Sequence, residues 1–486
     1  MTTAVHLVSL GCSRNDVDSE ELAARLDAEG FRLVDEPDQA EVIMVNTCGF
    51  IEQAKKDSID TVLAAADQKQ TGKAQAVVAV GCMAERYGTE LADALPEADA
   101  VLGFDSYPQI AAKLRTILAG GHVDSHQPKD RRTLLPLMPV ARQQAVHDAR
   151  APLAVPGHGE IVDDDLLRAS DRRPASGPPV LRKRLHGGPF APLKIASGCD
   201  RRCAFCAIPS FRGAYLSRPA SEIVAEANWL AGQGVKEVML VSENSSSYGK
   251  DLGTPRALSN LLTELSVVDG LEWIRVSYLQ PAEITPDMLT AIASLPNVVP
   301  YFDLSFQHAS GPLLRAMRRF GDAEQFLALI DNVRTLAPRA GIRSNFIVGF
   351  PGETDEEVEV LADFISQARL DVAGVFSYSP EEGTEGATLP GQVDEDTIDQ
   401  RHELIAGLID EVCNQRAADR IGERVRILIE EFDDGQPIGR AAHQGPEVDG
   451  ITTLIGTDTN QVKVGDFVDA VVTDSVGVDL TAQIVQ

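Results

Sequence analysis

Short apolar runs alternate with amphipathic segments over the first 119 residues. Three of these runs have the length and the β-branched content of buried strands: HLVSLG, EVIMVNT and AVVAVG. Amphipathic helical patterns follow them near Glu20, Gln53 and Glu85. Residues 1–119 are therefore predicted to form an N-terminal parallel α/β domain.

The same alternation returns between residues 188 and 419. Helical stretches there separate six more strand-like runs: PLKIAS, KEVMLVS, WIRVSYL, VVPYFDLSFQ, IRSNFIVGF and VAGVFSYS. Six βα repeats predict a central partial (β/α)6 barrel, which a long helical pattern from about Glu395 to Arg420 closes. Residues 420–486 are predicted to form a small all-β barrel from the runs RVRILIEEF, ITTLIGT, QVKVGDFVDAVVTD and DLTAQIVQ.

Residues 120–187 lose this periodicity and are rich in Pro, Gly, Asp, Arg and His. The segment is predicted to be mostly a linker or an insertion, and the sequence assigns it no task. It holds five of the nine histidines, which lack the spacing of metal ligands and are expected to lie in a solvated loop: His122, His126, His147, His158 and His186.

The chain is strongly acidic, with a formal net charge of -29 and a pI near 4.7. Acidity opposes binding to a phosphate backbone, and it fits either a basic partner or simple solubility. No apolar stretch approaches the roughly 20 residues that a membrane span needs, and the N-terminal run turns polar too early for a secretory signal. A cytoplasmic protein without a membrane partner is expected.

Three of the seven cysteines stand in the motif SGCDRRCAFC, directly after the first predicted barrel strand: Cys199, Cys203 and Cys206. Thiols of a cytosolic protein are kept reduced, so clustered ones indicate metal binding or catalysis. The loops after barrel strands build active sites, and soft thiolates select iron-sulfur clusters or zinc. A structural zinc ion requires a fourth ligand, and none follows these three cysteines at close spacing. The motif therefore favours a cluster with one open iron.

Cys12, Cys48 and Cys82 are far apart in the sequence, but each directly follows an N-terminal strand run. The carboxyl ends of parallel strands gather ligands at one edge of a sheet, so these three can converge on one site. Neighbouring glycines allow tight turns there: Gly11, Gly49 and Gly81. The alternative interpretation is that the three thiols are small buried hydrophobic groups.

The CxxxCxxC motif, with Phe205 just before its last cysteine, resembles the signature of the radical S-adenosylmethionine superfamily. The resemblance implies that Cys199, Cys203 and Cys206 bind a 4Fe-4S cluster whose open iron takes S-adenosylmethionine, with Phe205 as a candidate contact of that cofactor. An external electron donor is then required.

The N-terminal cysteine motifs SLGCSRNDVDSE, VNTCGFIEQAKKDSID and VGCMAERY resemble the methylthiotransferases of that superfamily. This likeness implies a second, auxiliary 4Fe-4S cluster on Cys12, Cys48 and Cys82, and S-adenosylmethionine as both methyl donor and radical source. The β tail resembles the TRAM domain that ends these enzymes. Cys413 matches no ligand position and is expected to lie in the core.

One branch of this family modifies an adenosine of tRNA, and another modifies an aspartate β-carbon of small ribosomal subunit protein twelve. The stretch YSPEEGT, with Glu381 and Glu382, resembles the ribosomal-protein branch. The tail is acidic and offers only Phe432 and Phe467 as aromatic platforms, so nucleic-acid binding is not expected to be primary. The tRNA enzyme is the alternative, and a non-catalytic iron-sulfur factor that binds RNA or ribosomes is the second one.

A few positions depart from the family pattern, which leaves substrate and cofactor contacts open but not the cluster chemistry: Leu216, Glu243, Asn244 and Ser305. The stretch IRSNFIVGFPGE is a further candidate for cofactor contacts, or equally for barrel packing. His308 is ambiguous, because a polar residue at a strand end is often a hydrogen-bonded core group.

Overall fold

The three apolar runs near the N-terminus form the centre of one parallel sheet in the computed structural model, which describes residues 2–134, 136, 138–146, 154–156, 182–456 and 462–485. The strand order is β2-β1-β3-β4-β5, with β1 Ala4–Ser9, β2 Arg32–Leu33, β3 Val42–Thr47, β4 Ala76–Gly81 and β5 Ala100–Val101. Strands β3 and β4 are buried along their whole length, as a parallel sheet covered on both faces requires. The edge strands β2 and β5 are two residues long, too short to give a pattern in the sequence.

Four helices cover this sheet: α1 Ser13–Ala28, α2 Glu52–Thr71, α3 Cys82–Ala94 and α4 Ile110–Leu118. Successive side chains of a strand point to opposite faces. Accordingly, Val42 and Met44 of β3 pack into one apolar cluster, whereas Ile43 and Val45 pack into the other. The N-terminal domain is thus a three-layer unit, which confirms the predicted parallel α/β class.

The six apolar runs of the central region form two three-stranded parallel sheets that bridge into one open barrel. Its strands and two short loop strands are β6 Phe190–Lys194, β7 Ala196–Ser197, β8 Leu216–Ser217, β9 Glu237–Val241, β10 Trp273–Val276, β11 Tyr301–Gln307, β12 Gly341–Val348 and β13 Val372–Ser377. Isolated bridges such as Leu279 to Leu304 join the two sheets. The predicted partial (β/α)6 barrel is confirmed.

Helices alternate with these strands and bury a single large apolar core against them. They are α6 Ile208–Arg212, α7 Ala220–Gly232, α8 Ala257–Leu265, α9 Pro286–Ser294, α10 Gly311–Ala316, α11 Ala323–Leu336, α12 Asp355–Ala368 and α13 Glu395–Ala418, while α5 Pro139–Val146 precedes the barrel. In the part of the chain that the structure describes, no helix is both long enough and apolar enough to cross a membrane.

The last five strands form a closed barrel of order β14-β15-β16-β18-β17. They are β14 Arg424–Asp433, β15 Gln436–Ala441, β16 Thr452–Ile455, β17 Phe467–Val476 and β18 Asp479–Ile484. Phe467 packs edge-on against Trp273 of the central barrel, with ring centroids 4.9 Å apart. The small barrel is therefore in direct contact with the large one.

The described parts of residues 120–187 pack against the flanking domains, which a solvated linker would not do. Three of their arginines are buried and pair with carboxylates of the flanking domains: Arg131 with Glu85, Arg142 with Asp200, and Arg182 with Glu20 and Glu226. The expectation of a solvated loop holds for the exposed His122 and His186. It is wrong for His126, whose side chain is 9% exposed and lies against Glu85. His147 and His158 lie outside the described residues.

Candidate active site between the two domains

Cys12, Cys48 and Cys82 lie at the carboxyl-end edge of the N-terminal sheet, because each follows one of the adjacent strands β1, β3 and β4. Gly11 has a φ of 95° and is so close to Cys48 that an added Cβ would lie 2.8 Å from its Sγ. Gly81 has a φ of 90°, and a Cβ there would collide with Asn46. Both glycines therefore let the backbone turn tightly beside Cys12 and Cys82, where a side chain would clash.

Two arginines determine the electrostatics of this first cysteine set. Burial by itself would raise the pKa of Cys12, but the nearby Arg14 and Arg212 hold that pKa below its usual value. Burial raises the pKa of Cys82 to about 12, with the charges of Cys12 and Cys48 adding to the shift. The negative charge of one thiolate disfavours the ionisation of its neighbours. Three thiolates at this edge therefore need positive charge beside them.

Cys199, Cys203 and Cys206 occupy the loop between β7 and α6, at the mouth of the barrel. The loop is held by its own backbone: Cys199 N–H donates to the Gly213 carbonyl at 3.0 Å, and Cys206 N–H donates to that of Cys203 at 3.1 Å. Burial raises the pKa of Cys206 to about 12, and the Cys203 charge acts in the same direction. The structure thus gathers the second cysteine set on one short loop.

Both sets have the donor chemistry of iron-sulfur ligands, because each offers three half-buried or buried thiols with arginine close by. The Arg319 guanidinium lies 3.9 Å from Cys203 Sγ in the second set, as Arg212 lies 3.0 Å from Cys82 Sγ in the first. Within the described ranges, His, Cys, Asp and Glu side chains form no group of three or more that could hold a single metal ion.

Arg14 joins the two cysteine sets. It belongs to the N-terminal domain, but its guanidinium donates to the Ser242 carbonyl of the barrel at 3.1 Å and lies 4.9 Å from the ring centroid of Tyr278. The same positive charge lowers the pKa of Cys12 and opposes the burial that raises the pKa of Cys206. The carboxyl ends of both sheets therefore face one interface, with the N-terminal domain packed over the barrel mouth.

A buried ion network holds this interface closed. Asp18 of α1 is fully buried and accepts hydrogen bonds from Lys194 at the end of β6 and from Arg212 of α6, the latter at 2.8 Å. Arg212 also lies 4.0 Å from Glu243 and donates to Asn15 at 2.9 Å. The network places the Arg212 charge directly between Asp18 and Cys82.

Glu381, which the sequence offered as a mark of substrate choice, is engaged between the domains. Its side chain is 7% exposed and accepts from Lys55 and Arg86, both at 2.8 Å. Glu382 contributes only its carbonyl, which accepts from Arg86 at 3.1 Å, and the residue itself is exposed. The first glutamate of YSPEEGT therefore ties the barrel rim to the N-terminal domain.

Replacing Glu381 with glutamine is expected to lower the free energy of unfolding by about 1–3 kcal/mol, because Lys55 and Arg86 lose their shared carboxylate. Glu382→Gln is the matched control, since the Glu382 carbonyl persists in the variant, and its effect should stay within about 0.5 kcal/mol. Urea unfolding followed by circular dichroism measures both. Equal effects from the two variants would remove the interdomain role of Glu381.

The other residues singled out from the sequence are placed as follows. Phe205 is partly buried and packs against the barrel core, so its contact with S-adenosylmethionine stays a prediction. Cys413 is 4% exposed in that core, as expected. His308 is fully buried and accepts from the Ser310 N–H at 3.0 Å, which makes it a hydrogen-bonded core group. Asn244 donates to Glu283 at 2.8 Å.

Sequence reasoning missed three charged residues of the site: Arg14, Lys194 and Arg212. Arg14 stands in the motif SLGCSRNDVDSE and Lys194 in the strand run PLKIAS, whereas Arg212 follows the last cysteine of the second set by six residues. A signal was available, since Lys194 interrupts an apolar strand and Arg14 follows Cys12 by two residues. The need for buried countercharge near clustered thiols could have selected them.

Comparisons with known proteins cover the same three units. The profile of the uncharacterized protein family UPF0004 matches residues 4–103, the radical SAM superfamily matches residues 193–365, and the TRAM domain matches residues 421–485. The solved structure of TsrM, a radical S-adenosylmethionine methyltransferase from Kitasatospora setae, has a TM-score of 0.52 and 17% identity over 78% of this chain and 72% of that chain. That likeness is one of fold alone.

Two relatives are similar over nearly their full length. Ribosomal protein uS12 methylthiotransferase RimO of Cutibacterium acnes is 66% identical over 99% of this chain and 97% of that protein. The protein of the same name from Nocardioides sp. is 57% identical, with the same coverage of both chains.

The fold and the matched profiles define a radical S-adenosylmethionine protein with an N-terminal UPF0004 domain and a C-terminal TRAM domain. That class implies an iron-sulfur cluster and S-adenosylmethionine. At these identities the chain belongs to the family of ribosomal protein uS12 methylthiotransferases, which are enzymes. The family resemblance read from the sequence is confirmed.

Proposed function

We propose that this enzyme adds a methylthio group to the β-carbon of an aspartate in ribosomal protein uS12, and that it does so in the cytoplasm. The observation that carries the proposal is that the two three-cysteine sets face one interface, across which Arg14, two residues after Cys12, donates to the Ser242 carbonyl of the barrel at 3.1 Å. Transfer of a group from one centre to a carbon activated at another requires both centres to face one substrate pocket.

We assign one 4Fe-4S cluster to Cys199, Cys203 and Cys206, and a second to Cys12, Cys48 and Cys82. With S-adenosylmethionine bound, these groups would supply a methyl group, sulfur chemistry and radical chemistry able to take hydrogen from an unactivated carbon. The protein holds the ligands and compensates their charge through Arg14, Arg212 and Arg319. Closure of the domains over the barrel mouth excludes water from the reacting groups.

The choice of uS12 rests on the family and on the charge of the small barrel. Such a surface suits a lysine- and arginine-rich ribosomal protein, because exposed carboxylates dominate it. The exposed acidic residues of the small barrel include Glu431, Asp433, Asp434, Asp466, Asp469 and Asp474. Of its two aromatic side chains, Phe467 is covered by Trp273 and by Arg426, whose guanidinium lies 4.0 Å from the ring centroid. Only Phe432, 43% exposed, is left as a stacking platform.

The match to the TRAM domain favours a second candidate, the tRNA adenosine 2-methylthiotransferase, because this domain suggests contact with RNA. This candidate would use the same chemistry, but the acidic surface of the small barrel disfavours the binding of tRNA. In both cases an external electron donor has to supply the electron.

The test is intact-mass spectrometry of uS12 from cells with and without this gene, together with nucleoside analysis of their tRNA. We expect the gene deletion to remove a methylthio-sized mass from uS12 and to leave tRNA nucleosides unchanged. An unchanged uS12 with missing methylthioadenosine would assign the enzyme to the tRNA branch. No change in either, with no cleavage of S-adenosylmethionine by the purified protein, would favour the non-catalytic factor.

A further inference from the structure

A basic depression of about 400 Å³ opens on the surface beside the second cysteine set. Its walls come from the loop that holds Cys199 and Cys203 and from the end of α10 with the turn that follows. Five arginines and one phenylalanine dominate its lining: Arg201, Arg202, Arg315, Arg318, Arg319 and Phe320. Such a concentration of cations is unexpected in a chain whose formal net charge is -29.

Part of this charge is not compensated. Arg318 pairs with Glu385 at 2.7 Å, and Arg201 pairs with Glu283. Asp200, the one carboxylate of the lining, is bound by Arg142 at 2.7 Å. Arg202 and Arg315 are exposed, and neither has a carboxylate within ion-pair distance among the residues that the structure describes. The depression therefore presents a positive surface to solvent.

The floor of the depression is in contact with the cysteine loop. Arg319 is buried, donates to the Ser305 carbonyl, and has its guanidinium 3.9 Å from Cys203 Sγ. The Ala204 N–H, next to Cys203, donates to the Met317 carbonyl at 3.0 Å. A partner seated in the depression would thus be separated from the thiol of Cys203 by a single layer of side chains.

We infer that this arginine-lined depression is the docking surface of the electron donor, and that the donor is an acidic one-electron carrier protein with a flavin or an iron-sulfur centre. This inference rests on the proposed function, which requires such an electron. The reduced carrier is oxidised by one electron, and that electron enters the centre held by Cys199, Cys203 and Cys206. No atom is transferred and no bond forms between the two proteins.

Charge and chemistry of the surface both fit this partner. Complementary charge steers the encounter of two proteins, and arginine and aromatic side chains are enriched where proteins bind each other. Phe320 is 65% exposed beside the arginines and supplies the apolar anchor of such an interface. A positive surface with an aromatic side chain could also attract RNA, and RNA binding is therefore one of the outcomes that the experiment distinguishes.

The test compares two reductants on the reconstituted holoenzyme and its Arg202→Glu/Arg315→Glu variant. One is reduced flavodoxin, a small acidic flavoprotein, and the other is photoreduced 5-deazariboflavin, which is small and has no protein surface. With flavodoxin at low ionic strength, the variant's rate of 5'-deoxyadenosine formation is expected to fall about tenfold. With deazariboflavin the rates of variant and wild type should agree. Raising the salt concentration should slow the flavodoxin reaction of the wild type and leave that of the variant nearly unchanged.

The matched control is Arg32→Glu/Arg424→Glu, which makes the same change in net charge at two exposed arginines outside the depression. It should leave both rates unchanged. Equal rates for variant and wild type with flavodoxin would overturn the inference, as would an equal loss with both reductants. Loss of binding to ribosomal RNA with unchanged flavodoxin kinetics would make the surface a nucleic-acid site instead. No 5'-deoxyadenosine from the wild type with deazariboflavin would count against the proposed function, not against the docking surface.

Discussion

Replacing Cys203 with alanine is expected to abolish the cleavage of S-adenosylmethionine, whereas replacing Cys12 with alanine should abolish only the transfer of the methylthio group. The two cysteines belong to different sets, Cys203 to the loop after β7 and Cys12 to the edge of the N-terminal sheet. If each set holds its own cluster, either variant should lose about half of the bound iron and sulfide. Chromatography of 5'-deoxyadenosine, the mass of uS12 and iron analysis together separate the two functions.

Cys413→Ala is the control for these variants. This thiol is buried in the barrel core and lies in neither set, so both activities and the iron content should be retained at a cost of about 1 kcal/mol in stability. Loss of S-adenosylmethionine cleavage in the Cys12 variant would mean that the two sets do not act separately. Full iron content in both variants would contradict the assignment of the ligands.

The sequence predicts most of the regular structure because hydrophobic periodicity is a local property. The runs behind β3, β4, β9 and β10 are buried along their whole length, as their patterns require, whereas β1 and β13 are largely half-buried or exposed. Strand β15, Gln436–Ala441, was missed, since its sequence QPIGRA has a proline and a glycine and little apolar alternation. It is nevertheless buried between β14 and β16, where tertiary pairing outweighs weak local preference.

The placement of Cys12, Cys48 and Cys82 at one edge of the sheet was predictable for a similar reason. A ligand that follows a parallel strand lies at one known edge of the sheet, whatever the sequence separation. No such rule identifies the partner of a buried charged residue from the sequence. Asp18 and Lys194 are 176 residues apart, and Arg14 reaches Ser242 across 228 residues. Only the docking of one domain on another brings these atoms together, so the charged part of the site required the structure.

The predicted linker illustrates the same limit. Its composition of Pro, Gly and charged residues is typical of solvated chain. Arg131 and Arg182 are nevertheless only 2% and 3% exposed, because they form ion pairs with carboxylates of the neighbouring domains. The sequence around a polar residue does not indicate whether a residue of opposite charge lies beside it in the folded protein.

Replacing Asp18 with alanine is expected to destabilise the enzyme by about 3–5 kcal/mol at pH 7, because the buried Lys194 and Arg212 would lose their common carboxylate. Urea unfolding followed by fluorescence and circular dichroism measures the change. Asp67→Ala, at an exposed position of α2, is the control and should stay within about 0.5 kcal/mol of the wild type. A midpoint for the Asp18 variant equal to that of the control would show that the network does not hold the interface.

The effect of the Asp18 substitution should also depend on pH in one direction. Burial alone would raise the pKa of Asp18, but Lys194 and Arg212 outweigh it and hold that pKa below its usual value. The folded protein then binds this proton less readily than the unfolded chain does, so the carboxylate's contribution is complete above about pH 5, begins to fall near the unfolded pKa of about 4, and is lost as the pH falls through the lower folded value. The stability difference between wild type and variant is therefore expected to be constant from neutral pH down to about pH 5 and to shrink below about pH 4. A difference that grew on acidification would mean that Asp18 is protonated in the folded protein and that Arg212 draws its countercharge from Glu243 instead.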